Sequence, residues 1–172
     1  MAFGGGAPRL VAMHTDTIHP AVRVGHVHLR VADLDRAIAF YREALGLGLT
    51  ADGRGAGIPA AFLAAGDYHH HIALNTFEPA RRGLYHVALR YPDRDELARA
   101  VRRLIDHDWP VAHASDHGAT VSVYLADADG NGIELYYDRP RVDWFDTDGQ
   151  PVLKLEPFDP RELLDTNTET GA

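Results

Sequence analysis

Gly25-His-Val-His-Leu-Arg-Val-Ala-Asp33 returns 60 residues further on as Tyr85-His-Val-Ala-Leu-Arg-Tyr-Pro-Asp93. The match sets His26 on His86, Val27 on Val87, Leu29 on Leu89, Arg30 on Arg90 and Asp33 on Asp93. Self-similarity at a fixed spacing indicates one structural unit used twice. In each copy apolar and polar residues alternate over several positions, the pattern of a half-buried strand, before the spacing turns helical. In the first copy Asp33 is placed to cap a helix with the stripe Leu34, Ala37, Ile38, Tyr41 and Leu45, and Gly46 is its stop. In the second, Asp93 and Glu96 have the spacing of a capping box ahead of Leu97, Val101, Leu104 and Ile105. Both helices are amphipathic, so each is expected to cover a sheet.

Short strands are expected after each helix: Ala60–Ala64 and His69–Asn75 in the first copy, Thr120–Leu125 and Ile133–Tyr137 in the second. Asp129-Gly-Asn-Gly132 is a strong turn signal, because Asn and Gly tolerate positive φ. Gly53–Gly57 reads as a flexible loop. The expected fold class is α+β, built from two βαβββ modules at residues 21–80 and 81–146 that form one domain, 21–146. Residues 1–20 and 147–172 carry no matching pattern. They are expected to wrap the core loosely, with a short helix starting at Asp159-Pro160.

Composition narrows the function. The 172 residues suffice for one domain with a core. A net charge of −8, from 25 acidic against 17 basic side chains, repels phosphate backbones and anionic lipid, so nucleic acid and membrane are poor partners. No apolar run approaches the roughly 20 residues that span a bilayer, and the first 20 lack the order of a signal peptide, so the cytoplasm is the expected compartment. With no cysteine there are no disulfides and no thiolate ligands. Any metal must be held by nitrogen and oxygen, and 11 histidines make that feasible.

Ligands must converge in space, and a pseudo-two-fold repeat brings equivalent positions of its first strands side by side. His26 and His86 are such equivalents, which favours metal ligation over two separate core histidines. Glu134 lies in Gly132-Ile-Glu-Leu-Tyr-Tyr137 among apolar and aromatic neighbours. Burying an unpaired carboxylate costs several kcal/mol, so the position asks for a cation. Strand alternation also allows Glu134 to face outward, with Ile133 and Leu135 in the core. At an offset of 61 its counterpart is Ala73, so two histidines and one carboxylate leave a face of the metal open. That arrangement suits a bidentate substrate and O₂ on iron(II).

His26-Val-His-Leu-Arg-Val-Ala-Asp-Leu-Asp, Phe40-Tyr41, His69-His-His-Ile-Ala-Leu-Asn75, Tyr85-His-Val-Ala-Leu, Ser115-Asp-His-Gly118 and Tyr124 through Asp-Gly-Asn-Gly-Ile-Glu134 together resemble the vicinal-oxygen-chelate superfamily. Within it they resemble the type I extradiol catechol 2,3-dioxygenase-like branch, over residues 22–145. The resemblance implies a glyoxalase/extradiol-dioxygenase-like open barrel, with iron ligands at His26, His86 and Glu134 and an acid/base histidine at His70. Strand parity with Ala73 points to His71 instead, and a solvated polar run is the third reading of His69–His71. The resemblance further implies that His117 bonds bound oxygen and that Tyr124 stands near the substrate hydroxyl, although a core aromatic is an equal reading of Tyr124. His28 is expected to line the pocket without ligating; His14, His19, His107 and His113 have surface or loop readings.

The implied activity is iron(II)-dependent extradiol cleavage of a catecholic ring, with O₂ as co-substrate and manganese(II) accepted by the same ligands. A glyoxalase-like isomerase is the enzyme alternative, disfavoured because its fourth ligand would fall on Ala73. A metal-free module binding cationic drugs is the non-enzyme alternative, which would leave His26, His86 and Glu134 unexplained. The larger extradiol enzymes resemble four such units where this chain has two, so a homodimer is expected to enclose the pocket.

Overall fold

The computed structural model describes residues 17–78 and 81–165. His14 and most of the N-terminal extension fall outside them. The first repeat forms β1 (Arg23–Arg30), α1 (Leu34–Ala39), β2 (Gly48–Asp52), β3 (Ala60–Ala64) and β4 (Ile72–Asn75). The second forms β5 (Gly83–Tyr91), α2 (Arg94–Asp106), β6 (His113–Gly118), β7 (Thr120–Ala126) and β8 (Gly132–Asp138). Both are βαβββ units. With a final strand, β9 (Leu153–Pro157), they make one curled half-barrel sheet in the order β2-β3-β4-β1-β5-β8-β7-β6-β9.

The copies join through their first strands. β1 runs antiparallel to β5 with Val27 opposite Val87, its own repeat counterpart, so the local two-fold axis passes between these residues. β4 then pairs parallel with β1 and β8 parallel with β5, placing Ala73 beside His28 and Glu134 beside Ala88. These two registers are the same contact made twice, which establishes Ala73 as the counterpart of Glu134.

Each helix covers its own half. Asp33 and Asp93 cap the two helices by accepting the backbone N–H three residues on. The capping box expected at Asp93 is half formed, because the Glu96 carboxylate turns to Arg99. Leu34 and Ile38 pack with Ala61, Leu63 and Leu74, whereas Leu97 and Val101 pack with Val121, Val123 and Leu135. Leu29, Leu89 and Leu135 of the middle strands belong to these clusters, so alternation turns His26, His28, His86 and Glu134 to the opposite face of the sheet.

Sequence and structure part at four places. β2 and β6 supply the third strand that each βαβββ module requires and to which the sequence pattern assigns no segment, and the strand expected over His69–Asn75 begins only at Ile72. Gly53–Ala56 is a 3-10 turn rather than a flexible loop, since Asp52 accepts from the Arg54 backbone and its carboxylate clasps the Arg54 guanidinium. The first helix ends in a π-helical turn, Phe40–Ala44, that leaves Leu45 exposed. The C-terminal segment is not loosely wrapped: β9 pairs with β6, and Pro160–Leu164 forms a 3-10 turn with a complete Asp159–Glu162 capping box that buries Leu163 against α2.

Candidate metal centre

β1, β5 and β8 are adjacent, so one inward-facing side chain from each can meet at the middle of the sheet. His26, His86 and Glu134 do so, and all three are buried. Glu134 Oε2 lies 3.1 Å from His26 Nε2 and 2.8 Å from His86 Nε2, and the two imidazole nitrogens are 3.4 Å apart. Among the described residues this is the single group of three or more His or acidic side chains whose ligand atoms converge this closely. Glu134 thus faces inward, not outward.

The donor set fits a divalent ion. Nitrogen and oxygen ligands lie about 2.1 Å from a first-row metal, so neighbours at right angles are about 3.0 Å apart, as these three nearly are. Burial would push the Glu134 carboxyl up, but His26 and His86 outweigh it and hold it well below the usual range, keeping the ligand form. Its other oxygen accepts from Ser122 Oγ at 2.7 Å, which orients the carboxylate. His26 Nδ1 is buried without a hydrogen-bond partner, so on that side only packing sets the ring angle. Space is tight around the ligands: a Cβ on Gly132 would stand 2.3 Å from the Tyr85 carbonyl and 3.0 Å from His86 Cβ.

The neighbouring histidines sort themselves by geometry. The His70 ring centroid is 4.2 Å from that of His26 and 5.0 Å from Phe62, and His70 lines the cavity above the triad. Burial, then the nearby His26 and His69, hold its pKa well below the ordinary imidazole value. His71 is exposed and its Nδ1 accepts from the Ala65 backbone at 3.3 Å. The parity argument for His71 fails because β4 begins at Ile72, so alternation does not run back through the bend at His69–His71. His28 lines the cavity, and its Nε2 receives the Asn75 amide at 2.8 Å, which occupies that nitrogen.

On the opposite flank, Tyr124 pairs with Glu134 in the ladder. His117 Nδ1 donates to the Lys154 carbonyl at 3.1 Å, so its Nε2 is the acceptor for the Tyr124 hydroxyl at 2.8 Å. Burial and the charge of Glu134 raise the Tyr124 pKa well above its ordinary value, keeping it a phenol. His113 stacks on Tyr124 at 4.4 Å and also lines the cavity, a role its loop reading missed. The sequence reading likewise passed over Ser122 and Asp138. A lone serine inside Val121-Ser122-Val123 was the signal for the first; a carboxylate closing an aromatic strand was the signal for the second.

The triad opens into a cavity of about 690 Å³. Its walls include Ile58, Phe62, Phe77, Phe145, Val152 and Leu155. That volume is typical of a small-molecule site with apolar walls and a few convergent polar groups.

Comparison with known sequences places these features in a family. The sequence model of the glyoxalase/bleomycin resistance protein/dioxygenase superfamily matches residues 23–135, which carry all three convergent side chains. The chain belongs to this superfamily. Among curated relatives of this superfamily member, a catechol-2,3-dioxygenase of Bacillus subtilis is 35% identical over 160 residues, covering 87% of this chain and 53% of the relative. A biphenyl-2,3-diol 1,2-dioxygenase of Paraburkholderia xenovorans is 30% identical over 130 residues, covering 70% of this chain and 42% of its own length. The solved structure of a halotolerant catechol dioxygenase superimposes with a TM-score of 0.60 at 26% identity, covering 70% of this chain and 42% of that one. The chain spans about half the length of the curated relatives it matches. No helix among the described residues is long and apolar enough to cross a membrane.

Proposed function

We propose that this superfamily member is an iron(II)-dependent extradiol dioxygenase that opens a catecholic ring, with its catalytic groups all within residues 21–146. The observation that carries the reading is the convergence of two imidazoles and a single carboxylate, held by Ser122, beneath an apolar cavity. His26, His86 and Glu134 would hold the ion; manganese(II) accepts the same donors. When bound, such an ion supplies positions for both catechol oxygens and for O₂, and lowers the pKa of the hydroxyls.

The chain's own residues supply the rest. His70, neutral in its buried setting, takes the proton of a catechol hydroxyl at the ring nitrogen that its bond to His69 leaves free, and later returns it as an acid. Tyr124 and His117 form a hydrogen-bonded pair on the other flank. The phenol donates to His117, both of whose nitrogens are then engaged, so the Tyr124 oxygen rather than His117 is the group left to meet a substrate hydroxyl, as its acceptor. The apolar walls exclude water and favour a catechol with a bulky apolar substituent, in the manner of the biphenyl-2,3-diol named for one relative.

The glyoxalase-like alternative lacks a fourth protein ligand, because its position is Ala73, whose side chain is fully buried. A metal-free drug-binding module gives no reason for the buried triad. Oxygen uptake by anaerobically iron-loaded protein, measured over a panel of catechols, tests the reading. Consumption of O₂ with a yellow product cleaved beside the diol is expected. Isomerisation of a glutathione hemithioacetal, tight binding of a cationic drug without metal, or cleavage between the hydroxyls would overturn it.

A further inference from the structure

The run His69–His71 sits at a bend that turns two of its three rings inward, and the bend is tied to the end of β8. His69 Nε2 lies 2.9 Å from Asp138 Oδ1, and His69 Nδ1 lies 2.7 Å from His70 Nδ1. The His69 and Asp138 side chains are 9% and 12% exposed, so these contacts are shielded from solvent. Asp138 also accepts from Arg90 Nε at 2.8 Å and from the Tyr68 hydroxyl at 3.2 Å. Tyr136 in turn donates to Tyr68 at 2.8 Å. Gly25 makes room for that donor, since a Cβ there would stand 1.9 Å from the Tyr136 hydroxyl oxygen. Tyr68 and Trp144 flank the His69 ring, at centroid distances of 4.0 Å and 5.0 Å.

The directions of these bonds follow from chemistry. A carboxylate already receiving two donors has no proton to give, so the proton between Asp138 and His69 belongs to His69 Nε2. Burial lowers the pKa of His69 despite the opposing pull of Asp138, and a neutral imidazole carries one N–H only. Its Nδ1 is therefore bare and can only accept. The short bond from His70 must then be donated by His70 Nδ1, and a neutral His70 is left with a bare Nε2.

We propose that Asp138 and His69 are positioning residues that fix the tautomer of His70, so that the nitrogen it offers to the cavity is an acceptor. The logic parallels the Asp–His pair of serine hydrolases, in which a buried carboxylate selects the imidazole tautomer, with one more ring inserted between carboxylate and base. The kinetic part of the proposal rests on the dioxygenase reading. The tautomer itself rests on the hydrogen bonds together with the neutrality of the buried His69 ring.

The test uses the full chain labelled with ¹⁵N-histidine, in which imidazole nitrogen shifts distinguish protonated from bare nitrogens without any metal. The parent should show His70 protonated on Nδ1 and His69 on Nε2. In Asp138→Asn the single amide oxygen stays with Arg90 and the NH₂ turns to His69, so both rings should exchange their protonated nitrogens. In iron-loaded protein, kcat for catechol cleavage should fall about 10²-fold or more while KM and metal content change less than about twofold. In a His70→Phe background the same substitution should add less than about twofold, because its route of action is gone. A parent His70 protonated on Nε2, an unchanged tautomer in Asp138→Asn, or an equal kcat loss in the His70→Phe background would each overturn the proposal. If the parent cleaves no catechol, the dioxygenase reading fails separately and the nitrogen shifts alone decide this one.

Discussion

The two modules share a fold and a register yet differ in what they bring to the middle of the sheet. The first supplies His26 and, beside His28, Ala73; the second supplies His86 and, in the matching place beside Ala88, Glu134. Ladder partners extend the equivalence outward: Ala60 corresponds to Ser122 and Phe62 to Tyr124. In sequence alone, the offset of 61 that sets Ala73 on Glu134 sets His70 on Asn131. Duplication therefore builds the positions, and breaking the symmetry builds the chemistry. A centre with a carboxylate from each half would be closed and more negative; one carboxylate leaves positions open, and a base on one side only gives the cavity a direction.

Replacing a residue by its counterpart from the other half tests this directly. Glu134→Ala gives the second module the residue of the first and removes the only anionic ligand, so bound metal should fall from about one ion per chain to a trace by elemental analysis. Retention of metal at the parent level would place the site elsewhere. His70→Asn gives the first module the residue of the second; metal should stay while turnover drops by a factor of about 10² to 10⁴, with His71→Asn as a control that changes little. Equal losses in the two variants would mean the bend, not His70, matters.

Ser122→Ala frees Glu134 Oε1, and metal affinity measured by competition with a chelator should weaken about 10-fold to 100-fold. An unchanged affinity would show that packing alone orients the carboxylate. Tyr124→Phe has the smallest expected effect: it removes one hydrogen bond to His117, and a loss of roughly 0.5–1.5 kcal/mol, read as a rise in KM of up to about tenfold, is expected. A loss of turnover as large as that of His70→Asn would give Tyr124 a share in proton transfer.

How much of this was legible in the sequence follows the range of the interactions involved. The repeat, both helix caps and the triad could be read because each is encoded by a short pattern or by a pattern repeated, and two-fold symmetry turns sequence equivalence into proximity. No segment was assigned to β2 and β6 because Gly48–Asp52 and His113–Gly118 lack an alternating apolar pattern, and their partners hold them extended. Position 70 against 71 could not be settled by parity, since parity holds only within a strand and β4 starts after both. Asp138 and Ser122 acquire their roles solely through residues 69 or 12 positions away in the chain, and no local pattern announces such a partner.

β9 belongs to neither copy, lies at the rim of the sheet and is attached along one side only, to β6. Yet Val152, Leu153 and Leu155 form part of the cavity wall, as does Pro151 just before them. The centre and this part of its wall thus have separate origins within one chain: the first sits on strands paired along both sides, the second hangs from a single edge. Descendants of such a protein can shift their taste for different ring substituents by rewriting residues 151–157, while the inherited centre goes on unaltered.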